Sequence, residues 1–287
     1  MQLLTTSGWK DYELIDSGNE MRYERFGPYK TVRPDPQAIW QPSLKDWSDA
    51  DVQFISTGAG KGIWQFKRHL PEKWLMHWRH LAFWTRLTSF KHTGVFPEQN
   101  IQWEYIEKKI KQFRSAPTIL NLFGYTGIAS LVAAAGGAHV THIDASKPSL
   151  SWAKENQVVA KLQDKPMRFM LDDAVKFVER EIRRGNTYNG ILLDPPVYGH
   201  GPAGQIWKFS EDFPRLLRLC NQLLAKQPLF VIVNAYAISS SSLMLENVMH
   251  DTLPKGNIIV GELALQESSS KRLLSTGIFG RWEGLLP

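Results

Sequence analysis

The chain has 287 residues, 43% hydrophobic and 22% charged, which describes a folded protein with a large core rather than a disordered one. No apolar run approaches the roughly 18 residues a membrane span needs, and a single cysteine, Cys220, excludes an internal disulfide and any multi-cysteine metal site. The 34 Lys and Arg against 28 acids, net +6, are compatible with a polyanionic partner such as RNA and equally with a small-molecule enzyme.

Met1 to Asp11 lack the basic start and long apolar segment of a secretory leader, so an intracellular, cytoplasmic protein is expected. Eight of the 11 tryptophans (Trp9, Trp40, Trp47, Trp64, Trp74, Trp78, Trp84 and Trp103) fall in the first 103 residues, which marks the front as a different object from the back. Residues 1–88 show no helical period. Tyr12–Glu20 and Arg22–Gly27 have the pattern of a hairpin, Arg33–Trp40 is stiffened by two prolines, and Gly62–Phe66 and His80–Leu87 read as strands. A small, mostly antiparallel β-rich extension over 1–88 is expected, followed by a second domain over 89–287. The extension's Trp and Arg side chains suit stacking on bases and pairing with phosphates. The simpler reading is that the rings form the core of a small β module.

Residues 89–100 form a loop broken by Gly94 and Pro97. His92 has no second ligand at metal spacing, so no metal is expected. Gln102–Arg114 has the pattern of an amphipathic helix. Then comes the most informative stretch. Thr118–Phe123 is a buried strand, Gly124 and Gly127 bracket a tight turn, Ile128–Ala135 is a small-residue helix stopped by Gly136-Gly137, and Ala138–Ile143 is a second strand with Asp144 at its carboxyl end. An acid there can accept hydrogen bonds from both hydroxyls of a ribose. Leu122 stands where a dinucleotide fingerprint has its first glycine, so a ligand without phosphate, such as S-adenosylmethionine, fits better than a dinucleotide. A βαβ unit with no ligand is the bland alternative.

Ser146 is placed as the N-cap of a helix running to about Leu162, with Pro148 in its first turn. Met167–Leu171 is strand three. Asp172-Asp173 follows at the edge where open α/β sheets bind ligands, and one of the two can accept from an adenine amino group while the other, more readily Asp172, caps the helix Ala174–Arg184. Gly190–Leu193 is strand four and runs into Asp194-Pro195-Pro196-Val197-Tyr198-Gly199. The prolines stop the ladder and fix the Asp194 carboxylate and the Pro195 carbonyl, two acceptors suited to an amino group awaiting a methyl. Tyr198 is placed to stack on a target base, and His200–Gln205 reads as a mobile loop. Phe213–Lys226 is a helix that buries Cys220, Leu229–Val233 is strand five, Ser239–Ser242 opens the next helix, and Asn257–Leu265 with Leu273–Trp282 reads as an antiparallel pair.

Taken together, Lys91–Gln99, Asn121–Gly127, Asp172-Asp173, Asp194-Pro195-Pro196 and Arg33–Trp40 make the chain resemble the class I S-adenosylmethionine-dependent methyltransferases, in the branch related to bacterial large-subunit ribosomal RNA methyltransferases. The resemblance implies an α/β fold with a doubly wound, mostly parallel, Rossmann-like seven-stranded sheet whose last hairpin is antiparallel. It implies S-adenosylmethionine as cofactor, S-adenosylhomocysteine as product and RNA as substrate. The 91–99 loop would fold over the methionine end, bringing in Thr93, Phe96, Pro97 and Gln99. Phe123, Gly124, Tyr125, Thr126 and Gly127 would meet the cofactor. Asp144, with Ala145 and Ser146, would hold the ribose, and Asp172, Asp173 and Ala174 the adenine. Asp194, Pro195, Pro196 and Tyr198 would face the methyl acceptor. Relatives that methylate cytosine C5 carry a cysteine nucleophile just after strand five. Here Val233-Asn234-Ala235-Tyr236 has none, which points to a base nitrogen or amino group instead. A protein or small-molecule acceptor on the same fold is the alternative.

Overall fold

The structure, a computed structural model, describes residues 1–6, 8–58, 61–236 and 240–284. It divides into two compact units, each discontinuous in sequence. One comprises Thr5–Ile101 and Ala264–Thr276; the other comprises Met1–Leu4, Gln102–Leu263 and the chain from Gly277 onward. The division therefore falls after Ile101 rather than after residue 88.

The strands of the front of the chain are β1 (Gln2–Thr6), β2 (Tyr12–Gly18), β3 (Met21–Phe26), β4 (Tyr29–Pro34), β5 (Val52–Gly58), β6 (Lys61–Phe66), β7 (Trp74–Trp78) and β8 (Leu81–Thr85). Strands β2 to β6 form a five-stranded sheet in sequence order, antiparallel except for the parallel β4–β5 pair, and β7–β8 is a separate hairpin. The expected 12–27 hairpin is present. Strands β4, β5 and β7 escape a reading by pattern. In β4 the reason is that a charged residue is buried: Arg33 lies inside, with Arg22 and Glu24 of β3. The tryptophans are packing residues. Trp9, Trp74 and Trp78 are buried, Trp40, Trp47, Trp64 and Trp84 half-buried. Their indole N–H groups donate internally, Trp9 to His77 O, Trp40 to Ser17 O, Trp47 to Asp16, Trp64 to Thr88 O and Trp74 to Phe26 O.

The other unit contains α1 (Asn100–Gln112, beginning at the boundary), β9 (Thr118–Leu122), α2 (Ile128–Ala135), β10 (His139–Asp144), α3 (Lys147–Val159), β11 (Met167–Leu171), α4 (Ala174–Arg183), β12 (Gly190–Leu193), β13 (Tyr198–His200), β14 (Ile206–Lys208), α5 (Phe209–Gln222), β15 (Phe230–Ala235) and α6 (Ser242–Thr252). The long strands β16 (Gly256–Gln266) and β17 (Leu273–Gly284) close the chain. Its sheet runs β1-β16-β17-β15-β12-β9-β10-β11. Seven strands match the expected architecture, with β9 to β12 and β15 parallel and β17 antiparallel to β15. Strand β1 adds an eighth at the edge.

Because the central strands are covered on both faces, they are apolar at nearly every position. Leu120, Leu122, Ile191, Leu193, Val231 and Val233 point into a core shared with α4, α5 and α6; Cys220 lies in it, and burial holds its thiol well above the usual range. Helices α2 and α3 cover the other face of β9, β10 and β11. Gly137, at φ +100°, lets the chain turn back after α2. The 200–205 segment is not a free loop. It is the turn of the β13–β14 hairpin, closed by Gly201 N–H to Gln205 O (2.8 Å) and Gly204 N–H to Gly201 O (3.0 Å). Ser239 lies outside the described residues; the helix α6 opens with Ser241 as N-cap.

Candidate functional site

Parallel pairing puts the carboxyl ends of four strands side by side. Leu122 is in register with both Ile143 and Leu193, and Asp144 with Leu171. The residues that follow are then tied to one another by backbone bonds. Gly124 N–H donates to Ile143 O (2.9 Å), Asp172 N–H to Asp144 O (3.1 Å) and Asp194 N–H to Leu122 O (3.4 Å). The 123–127 turn, Asp144 to Ser146, Asp172 to Ala174 and Asp194 to Pro195 thus gather on one edge of the sheet.

The turn is held from below and from the side. Phe123 and Tyr125 adopt left-handed backbone (φ +58° and +51°), as does Gly127 (φ +84°). A non-glycine residue there costs about 1 to 2 kcal/mol, so something must hold it. Tyr125 N–H donates to Asp144 Oδ2 (2.7 Å), and the buried Asn156 of α3 donates to Thr126 O (2.9 Å). A Cβ on Gly124 would lie 2.3 Å from His142 Cε1 and one on Gly127 3.0 Å from Ala153 Cβ, so protein occupies the space a side chain would need at either glycine. His142 is fully buried, with Nδ1 3.0 Å from Ser130 Oγ, which accepts from Asn121 Nδ2 (2.9 Å). Burial pulls the His142 imidazole down to about 4, so it is neutral at pH 7.

Asp144 accepts Ser146 N–H on Oδ1 and Tyr125 N–H on Oδ2, both at 2.7 Å. Burial raises its pKa, and these two bonds partly offset the rise. Each oxygen retains a further acceptor site, which suits the two hydroxyls of a ribose. Ser146 Oγ caps α3 by accepting Ser149 N–H (3.3 Å), as expected.

The acidic pair divides its roles in the opposite sense to the sequence reading. Asp173 is the N-cap of α4, its Oδ1 accepting Lys176 N–H (2.9 Å). Asp172 accepts from Asp173 N–H and is ion-paired with Arg180 one helix face away. Asp173 is the residue directly before α4, and its extended backbone places its side chain to cap. Ala174 is buried as the first residue of α4.

Past β12, Asp194 is half-buried, Pro195 buried, and Pro196 and Tyr198 exposed. Trp207, not singled out from the sequence, donates Nε1–H to Pro196 O (2.7 Å), and its ring lies 4.9 Å from that of Phe123. Phe209 N–H donates to Val197 O (2.9 Å), which fastens the far side of the segment.

Thr93, Phe96, Pro97 and Gln99 belong to the other unit. There Pro97–Gln99 is a short 3-10 turn, Phe96 packs on His92, and Pro97 O accepts from Thr6 Oγ1 (3.0 Å). Thr93 is fully buried, and its hydroxyl has no hydrogen-bond partner among the described residues. The 91–99 segment is tethered by the Arg33–Trp40 stretch: Arg33 Nη1 donates to Lys91 O (3.0 Å) and Lys91 Nζ to Pro34 O (3.2 Å).

Residues 63–255 match the family model described as S-adenosylmethionine-dependent methyltransferase. The chain belongs to this family. This methyltransferase is 43% identical to the S-adenosylmethionine-dependent methyltransferase from Agrobacterium tumefaciens, whose crystal structure superposes with a TM-score of 0.96 over 99% of this chain and 93% of that one. SMU.776, solved with S-adenosylhomocysteine, shares the fold (TM-score 0.73, 17% identity, 96% of this chain and 76% of that one). Among curated proteins, the ribosomal RNA large subunit methyltransferase K/L of Alteromonas mediterranea is 30% identical over 257 residues, 83% of this chain and 36% of that protein. The protein of the same name from Hahella chejuensis is 34% identical over 145 residues, 50% of this chain and 19% of that protein. The methyltransferase spans little more than a third of these relatives at most. The acceptor set at Asp144 fits an adenosyl ribose.

Proposed function

We propose that this methyltransferase acts on RNA, ribosomal RNA in particular, at a base nitrogen or exocyclic amino group. The observation that carries the reading is the placement of the Asp194-Pro195-Pro196 segment on the same sheet edge as the adenosyl-binding turn. The K/L relatives support the substrate class, and a ribosomal substrate implies work in the cytoplasm. Asp144 would hold the ribose hydroxyls, and Asp173 Oδ2, opposite the oxygen that caps α4, would accept from the adenine amino group. For Thr93, Phe96, Pro97 and Gln99 the assignment rests on the resemblance alone.

Bound S-adenosylmethionine supplies an electrophilic methyl on a sulfonium. The chain's task is alignment. Where the target is an exocyclic amino group, Asp194 accepts one of its N–H groups, which orients the lone pair, and the carboxylate stabilises the positive charge that develops there until the amino proton is lost to solvent. The exposed Tyr198 ring stacks on the extruded base. The one cysteine is buried in α5, so no thiol serves the covalent route that cytosine C5 requires.

Two measurements test this. Labelled methyl from S-adenosylmethionine should enter RNA; label found only in a protein or metabolite pool would overturn the substrate class. Asp194→Ala should lower kcat about a hundredfold while leaving S-adenosylhomocysteine affinity within about threefold, as expected for a contact made mainly in the transition state.

A further inference from the structure

We propose that Trp207 is a positioning residue that ties the acceptor-facing segment to the cofactor turn, so that the two move as one body. The proposal rests on the reading of Asp194–Tyr198 given above. Strand β14 presents alternate faces: Ile206 and Lys208 are exposed, while Trp207 between them is buried. Opposite Trp207 stands Gly199, and the buried indole reaches the backbone of Pro196. One end of the ring system donates to Pro196 O at 2.7 Å. Its ring lies 4.9 Å from that of Phe123, tilted at 57°.

Both attachments fall on points that need holding. Pro196 follows two residues after Asp194, and neither Pro195 nor Pro196 has an N–H with which to anchor itself in a ladder. Phe123 is the first left-handed residue of the turn, where backbone strain favours relaxation unless the side chain is packed. Trp207 supplies a donor to the first and a packing surface to the second. A displacement of about 1 Å in an aligned reaction can lower the rate about a hundredfold, so a tie of this kind acts on kcat through Asp194 and on cofactor affinity through Phe123. Phenylalanine at 207 would keep the packing and lose the donor; leucine would lose both.

The test uses the whole chain and three variants: Trp207→Phe, Trp207→Leu and, as a control, Met249→Ala in the same core but on α6. In Trp207→Phe, kcat should fall about tenfold with S-adenosylhomocysteine affinity within twofold of wild type. In Trp207→Leu, kcat should fall further and the affinity should also fall, by about fivefold or more. Met249→Ala should lose thermal stability and keep both parameters. Amide exchange should quicken at Val197–Gly199 in both Trp207 variants and at Phe123–Gly127 only in Trp207→Leu. A Trp207→Phe enzyme with kcat within twofold of wild type, or variants that behave as Met249→Ala does, would overturn the proposal. If wild type transfers no methyl to RNA, the substrate reading fails, while the exchange data still decide whether Trp207 joins the two segments.

Discussion

A methyl group added to Gly124 would meet the buried ring of His142, so glycine is a packing requirement at this turn. The sequence shows that Gly124 is needed and conceals why, because nothing local tells that His142 points to the α2 side of β10. The same ring has a consequence for pH. Its pKa is near 4 in the folded chain against 6.5 unperturbed, so the unfolded state takes up the proton first as pH falls. His142 therefore contributes stability that is full above pH 6.5, is lost between 6.5 and 4, and changes no further below 4. By pH 5 the loss is about 2 kcal/mol. Urea unfolding at pH 7 and pH 5 should show a smaller difference for His142→Gln than for wild type, whatever that variant's stability at pH 7. Asp173 teaches the complementary lesson. Both acids were legible as ligand-edge residues, but only the helix start at Ala174 shows that Asp173 is the cap, while Asp172 pairs with Arg180.

Elements built from local signals were legible nearly to the residue. Helix α2 and strands β11 and β12 have the bounds their apolar runs and flanking glycines indicate. Strand β3 was legible as part of the hairpin, but β4 was not, because its inner face carries the charge of Arg33. Glu24 is buried with Arg22 and Arg33; burial would raise its carboxyl, but the two guanidinium groups outweigh it and hold the pKa below the usual range. Arg33 also grips the backbone of Lys91, which explains why the Arg33–Trp40 stretch and the 91–99 segment belong to one motif set. Removing Glu24 leaves the Arg33 guanidinium buried without its carboxylate, and removing Arg33 takes two donors from the buried Glu24. Glu24→Gln and Arg33→Met should each destabilise the chain by about 3 to 5 kcal/mol, and the double variant should cost less than the sum. Urea unfolding of the four proteins measures both effects.

On the scale of the molecule, each compact unit draws on distant parts of the chain. The Thr5–Ile101 unit is completed by Ala264–Thr276, where the buried Glu267 is hydrogen-bonded by Ser17 and Ser269 donates to Asp16 (3.0 Å). Strand β1 in turn supplies the edge of the large sheet. Limited proteolysis of the whole chain, read by mass spectrometry, should therefore give no lasting 89–287 fragment; a stable one would place the boundary at residue 88 after all. By itself the sequence carried the motifs that resemble the family, and it determined the succession of strands and helices along the chain and the residues at the strands' carboxyl ends, because periodicity, caps and glycine turns act over a few neighbours. Only the tertiary structure decided what holds those residues still. The ring beneath Gly124, the indole between Pro196 and Phe123, the arginine on Asp172 and the hairpin that completes the front unit are all contacts between elements, and such contacts follow from packing and burial rather than from local pattern.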